Sequence, residues 1–184
     1  MQLCNCAICD FKKKEMEKVS INKTIHLSEH FTLGEVTKSK HAEIYNIPSH
    51  VAIENLKRVC AWLEALRLRY NLRYVSGSVS PPELGGEIDT EEPIIISSGY
   101  RSPELNKKVG GSPTSNHLTG CAVDIRVAGI EQAMRYAVIL MDYADETKQD
   151  YDELLIERNR SGGYWLHFAV RPKENRRKTM FIQK

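Results

Sequence analysis

Between Ser49 and Tyr70 the apolar residues Ile53, Leu56, Val59, Leu63, Leu66 and Tyr70 recur at steps of three and four. This period predicts an amphipathic helix over about 50–70, with Ser49 as its N-cap. Upstream, Thr32-Leu33-Gly34-Glu35 has the form of a capping box, which predicts a helix of about ten residues ending before Asn46-Ile47-Pro48. The β-branched run Pro93-Ile94-Ile95-Ile96-Ser97 reads as a buried strand. Ser102-Pro103 starts a short helix that stops at Gly110-Gly111. Ala122–Val127 is a second strand. Ile130 to about Ala144 is a helix with Ile130, Ala133, Met134, Ala137, Met141 and Ala144 on one side. Two strands follow, around Glu153–Glu157 and Tyr164–Val170, joined by the hairpin-like Asn159-Arg160-Ser161-Gly162-Gly163. Helices and strands are grouped and do not alternate. The expected class is therefore α+β, a single domain with a small antiparallel sheet flanked by helices.

With 184 residues and 21.0 kDa, the chain has room for one sizeable core and hardly for two. Residues 1–18 lack periodicity and are rich in Lys and Glu, so they read as a disordered extension, with the domain proper spanning 27–172. Ser76–Glu92, rich in Gly, Pro and acidic residues, reads as a long surface loop. Residues 173–184 form a basic tail that includes Arg176, Arg177 and Lys178, expected to be a solvated terminus. A net charge of +2 supplies no field for holding nucleic acid. No apolar run is long enough to span a membrane. Residues 11–18 are charged where a secretory signal would be apolar, so the chain as encoded is expected to remain cytoplasmic.

The five cysteines are an odd number in a chain too large to need disulfides. Cys60 and Cys121 lie in apolar surroundings and read as buried small hydrophobes. Cys4, Cys6 and Cys9 form C-x-C-x-x-C. That is either part of a zinc site completed by Asp10 or His26, or a ragged extension ahead of Met16.

Three segments carry polar residues that a packed core would not demand: Ser98–Ser102, Ser115–Asp124 and Trp165–Phe168. Asp124 lies inside an apolar strand, where an unpaired carboxylate would cost several kcal/mol. Either a cation sits beside it or a partner such as Arg101 or Arg126 neutralises it. His167 is a second polar group in an apolar run, and His117 precedes Asp124 by seven residues across a glycine turn. Two imidazoles and a carboxylate have the composition of a catalytic zinc site with an open fourth position, while each residue alone is equally a hydrogen-bonded core residue.

Taken together, SGYRS, LNKKVGGSPTSNH, HLTGCAVDI and WLHFAVR resemble the zinc D-alanyl-D-alanine carboxypeptidase family. Its structural relatives include the vancomycin-resistance D,D-peptidases and the Hedgehog signalling domain. The pattern Ser-x-His-x-x-Gly-x-Ala-x-Asp is matched from Ser115 through His117, Gly120 and Ala122 to Asp124. The segment from Leu27 to Arg69 resembles the helical lead-in of the prokaryotic and phage branch, so the likeness covers roughly 27–172. It implies a Hedgehog-like or D,D-peptidase-like fold and one zinc ion held by His117, Asp124 and His167. Arg101 and Ser115 become candidates for gripping substrate carboxylate or carbonyl groups.

Relatives place a glutamate or histidine two or three residues before the last ligand, where this chain has Trp165 and Tyr164. The run Asp152-Glu153-Leu154-Leu155-Ile156-Glu157 resembles an alternative strand of the phage-type branch. If Glu157 pairs with Trp165, it lies on the same side as His167, and a one-residue slip would reverse it. Glu157 is therefore preferred to Glu153 as general base, the alternative being a solvent-facing glutamate at a strand end. The implied activity is zinc-dependent hydrolysis of a peptidoglycan stem peptide, at a D-Ala-D-Ala end or an L-Ala-D-Glu bond, with Arg101 steadying the oxyanion. Such an enzyme would meet the wall as a lysin released through a pore or after export, and the basic tail could touch anionic wall polymers. A zinc-binding module without turnover, or a phage-particle component on the same fold, are the competing readings. Oligomeric state is open, and His26, His30, His41 and His50 match no ligand of the family.

Overall fold

A computed structural model describes residues 22–75 and 91–184. The expected extension with Cys4, Cys6 and Cys9, and most of the Ser76–Glu92 loop, lie outside the described residues. Among the described residues four α-helices, α1 (Leu33–Val36), α2 (His50–Tyr70), α3 (Pro103–Lys108) and α4 (Ile130–Thr147), accompany one sheet. Its strands are β1 (Ile96–Ser98), β2 (Ala122–Arg126), β3 (Glu153–Arg158), β4 (Tyr164–Ala169) and β5 (Lys178–Gln183). They lie in the order β1-β2-β4-β3-β5, and the α+β class holds.

Strand alternation gives the sheet two different faces. Val123, Ile125, Leu154, Leu166 and Phe168 are fully buried against α2 and α4. Trp62 of α2 ties the layers together, its ring 4.9 Å from Tyr143 of α4 and 5.4 Å from Phe168 of β4. The opposite face carries Asp124, His167 and Leu155 in one row, because β4 pairs Asp124 with His167 and His167 with Leu155. Arg101 and His117, from the segment before β2, reach Asp124 on that face, where Asp124 and His167 are buried.

Four expectations need correction. The helix begun by the Thr32 capping box stops at Val36. The Val36 carbonyl accepts Tyr100 N–H at 2.7 Å, and Asn46 Nδ2 donates to the Thr37 carbonyl at 2.9 Å. Tertiary donors thus take the carbonyls that the next turn would have used. On α4 the buried stripe is Ala133, Tyr136, Ala137, Leu140 and Ala144, while Ile130 and Met134 are exposed. The bulk of Tyr136, stacked edge-on 4.7 Å from Tyr70, sets the helix rotation. The sheet is mixed, since β3 and β5 run parallel. The basic tail is no solvated terminus, because it contains β5. Its run Thr179–Ile182 is strand-forming, and Arg176 anchors it to the buried Asp152 through two hydrogen bonds of 2.7 and 2.8 Å. Cys60 and Cys121 are buried as expected, and burial pushes the Cys60 thiol up to about 12.

Candidate metal centre

His117 stands in a single 3-10 turn, Asn116–Thr119, between the α2 layer and the start of β2. Ser115 caps it, its Oγ accepting His117 N–H at 3.3 Å, and Asn55 of α2 donates to the Thr119 carbonyl at 2.9 Å. Gly120 ends the turn at φ 73°, and a Cβ there would lie 2.4 Å from the Ala52 carbonyl oxygen, so only glycine fits. The chain then enters β2 with Asp124 directed to the covered face beside His167.

Three atoms converge there. His117 Nε2 is 3.3 Å from Asp124 Oδ1 and 3.3 Å from His167 Nδ1, and His167 Nδ1 is 2.9 Å from Asp124 Oδ1. Among the described residues these three form the one group of histidine, cysteine or carboxylate donors close enough to share a metal ion. Ligand atoms about 2.0–2.1 Å from a tetrahedral zinc lie roughly 3.3 Å apart, so the spacing fits that ion. The tautomers fit too. His117 Nδ1–H donates to the Gly99 carbonyl at 2.6 Å, which frees Nε2 as a lone-pair donor. His167 Nε2 faces Glu153 Oε2 at 3.6 Å, a carboxylate partner behind the ligand atom Nδ1.

Electrostatics follow from this packing. Burial opposes the charge on Asp124, but the two imidazoles outweigh it and hold its carboxyl well below the usual carboxylate range. Burial also opposes protonation of His167, yet Asp124 and Glu153 raise it to about 9 without a metal. The facing His167 imidazole, with Lys178 and Arg176, overcomes the cost of burial and brings Glu153 down to about 2.

The site floors a cleft of about 520 Å³. Arg101, Ser115, Glu153 and Glu157 all line it with the three donors. Arg101 is partly committed: Nε donates to Ser98 Oγ at 2.9 Å and Nη2 to Asp124 Oδ2 at 2.5 Å. It therefore steadies Asp124, the ion pair that the sequence left open, and Arg126 is not the partner. Glu157 pairs with Trp165 in the register that puts it on the His167 face, and it is buried. Its charged neighbour is Lys184 Nζ, placed over the Trp165 ring at 5.2 Å. Glu153 occupies the same face on the other side of Leu155. The other histidines stay apart from the cluster, and His30, for example, pairs with Glu64.

Sequence reading missed Gly99 as the carbonyl behind His117, Glu153 as the carboxylate behind His167, and all the cations of β5. The β-prone run Thr179–Ile182 was the available signal for the strand.

A His-Asp-His donor set in a polar cleft of an α+β sheet has the composition of a metallohydrolase site. Residues 86–149 match the family model described as Peptidase M15. The matched segment contains His117 and Asp124, and His167 is delivered from beyond it by β4. Comparison with curated protein sequences gives no match. The match and the donor set support a zinc peptidase of the peptidoglycan-acting type. No helix among the described residues is long and apolar enough to cross a membrane.

Proposed function

We propose that this protein hydrolyses one peptide bond of a peptidoglycan stem peptide, as a D-Ala-D-Ala carboxypeptidase or an L-Ala-D-Glu endopeptidase. His117, Asp124 and His167 hold the zinc ion, and Glu157 is the general base. The observation that carries this reading is the convergence of His117 Nε2, Asp124 Oδ1 and His167 Nδ1 within 2.9–3.3 Å on the floor of a cleft that Glu157 lines. When bound, zinc supplies Lewis acidity to the scissile carbonyl and the attacking water. Glu157 takes the proton from that water as its oxygen bonds to the carbonyl carbon. The same carboxyl then gives the proton to the leaving nitrogen as the C–N bond breaks, yielding a carboxylate and an amine. Ser115 and Arg101 orient the substrate, and Arg101 also keeps Asp124 in place.

Glu157 is preferred to Glu153 because Glu153 is held by Asn116, Lys178, Arg176 and His167, and a carboxyl near 2 is a weak proton acceptor at neutral pH. The peptidase unit that begins near residue 27 extends past 172 to include β5, and Lys178 with the flanking Arg176 and Lys184 lines the cleft.

The test is mass spectrometry of purified muropeptides incubated with zinc-loaded protein. The parent should release a new fragment whose mass names the bond. His117→Ala should lose both zinc and turnover. Glu157→Gln should keep zinc and lose turnover by about a hundredfold or more, whereas Glu153→Gln should weaken zinc by about 10–100-fold and turn over once loaded. Intact muropeptides with fully zinc-loaded parent would instead support a binding module or particle component.

A further inference from the structure

One of the chain's own side chains already occupies the cleft. Lys184 follows β5, and its N–H donates to the Arg158 carbonyl at 2.9 Å, so its backbone continues the pairing with β3. Side chains alternate along this stretch, and Lys184 has the parity of Ile182, the register partner of Glu157. Its Nζ therefore turns to the cleft face, where it pairs with Glu157 Oε2 and lies 5.2 Å from the centre of the Trp165 ring. Glu157 and Trp165 are opposite one another in the β3–β4 ladder, and Trp165 shares the face of His167, two residues before it. A carboxylate and an indole thus meet at one edge of the cleft, beside the donor set, and both attract an ammonium. The other cations nearby are engaged elsewhere. Arg176 is held by Asp152 and Lys178 by Glu153, while Arg126 faces Trp165 from β2, on the side away from Glu157. Accessibility is uneven within the pair, since 6% of the Glu157 side chain is exposed against 57% for Lys184. The sheet fixes the carboxylate, and the lysine reaches it from solvent.

We propose that Glu157 and Trp165 form a pocket for a primary ammonium group, the amine end of the leaving fragment, and that Lys184 fills this pocket until substrate displaces it. This rests on the peptidase reading given above, in which Glu157 hands a proton to the leaving nitrogen. At neutral pH the released amine also takes up the proton of the new carboxyl group and becomes a primary ammonium. That is the same species as the Lys184 head group, so Lys184 Nζ stands where the product nitrogen would stand. A tethered occupant competes at an effective concentration of about millimolar, so a dilute free amine displaces it poorly. Lys184 leaves readily when a substrate brings further contacts, because more than half of its side chain is already in water.

The probe is ethylammonium chloride, with sodium chloride at matched ionic strength as the blank. Binding is read from the fluorescence of Trp165, and Trp165→Phe separates that signal from the buried Trp62. In zinc-loaded Lys184→Met and Lys184→Gln proteins the signal should saturate, and the parent should need about tenfold more amine for the same response. Glu157→Gln in the Lys184→Met background should abolish it. Stem-peptide hydrolysis should follow the same order, with both Lys184 variants gaining about two- to fivefold in kcat/KM and becoming more sensitive to inhibition by ethylammonium. An equal amine response in parent and variants, or one that survives Glu157→Gln, would overturn the pocket. A lower kcat/KM in both Lys184 variants would also overturn it, since Lys184 would then aid the reaction. A saturable, Glu157-dependent amine response without any hydrolysis would uphold the pocket and overturn the peptidase reading, so the two fail separately.

Discussion

His167 lies between two carboxylates, Asp124 at Nδ1 and Glu153 facing Nε2, and this pairing governs how the centre takes up a metal. In the metal-free protein the imidazole keeps its proton up to about pH 9, whereas a metal ligand must have lost the proton from Nδ1. Zinc and a proton therefore compete for one atom. Calorimetry in buffers of different ionisation enthalpy should show close to one proton released per zinc at neutral pH, falling towards none above about pH 9. Apparent zinc affinity should rise about tenfold per pH unit over the neutral range, and a flat profile would show that His167 is not the titrating ligand. The three donors were legible in the sequence because each is polar in an apolar or turn segment. The role of Glu153 was not legible, since it depends on which carboxylate of β3 ends up behind the ring.

At the scale of elements, the motif glycine of SGYRS joins fold and site. A Cβ on Gly99 would come within 2.2 Å of the Val36 carbonyl oxygen, the same carbonyl that ends α1 by accepting Tyr100 N–H. The Gly99 carbonyl in turn holds His117. Gly99→Ala must push the two segments apart, costing about 2 kcal/mol in stability by denaturant titration. It should also weaken zinc binding, because the His117 tautomer loses its acceptor. Retention of parental zinc affinity in a destabilised variant would separate the two roles. Helix α2 was legible because its period is long and its cap local. The end of α1 was not, because the groups that stop it, Tyr100 and Asn46, are remote in sequence or outside the local pattern. For β5, the charge of the run argued for a solvated terminus. Burial of Asp152 beneath Arg176 decided the matter.

For the whole molecule, the same groups set a pH window of stability. Glu153 is held near 2 in the fold against an ordinary 4.5, so its contribution is present above about 4.5 and is lost as pH falls through 2. His167 is raised from 6.5 to about 9, so its contribution is present below about 6.5 and is lost as pH rises through 9. Urea midpoints of the metal-free protein should therefore form a plateau between roughly pH 4.5 and 6.5. They should decline on both sides. Saturating zinc should remove most of the alkaline decline, since the bound ion keeps His167 deprotonated and adds its own binding free energy to the folded state. An unchanged alkaline limb with zinc would argue against His167 as a ligand.

The sequence alone determined the class of fold, the long helix α2, the β3–β4 hairpin and the three polar residues that converge in the cleft. These rest on local period, turn chemistry and polar residues placed where only a ligand or a partner tolerates them. Tertiary structure decided what each donor touches, because second contacts come from segments distant in the chain: Gly99 for His117, Arg101 for Asp124, Glu153 for His167. It also decided that the basic stretch is a wall of the cleft. Pairing of β5 with β3 and the burial of Asp152 are properties of the assembled sheet, and no local pattern of charge encodes them.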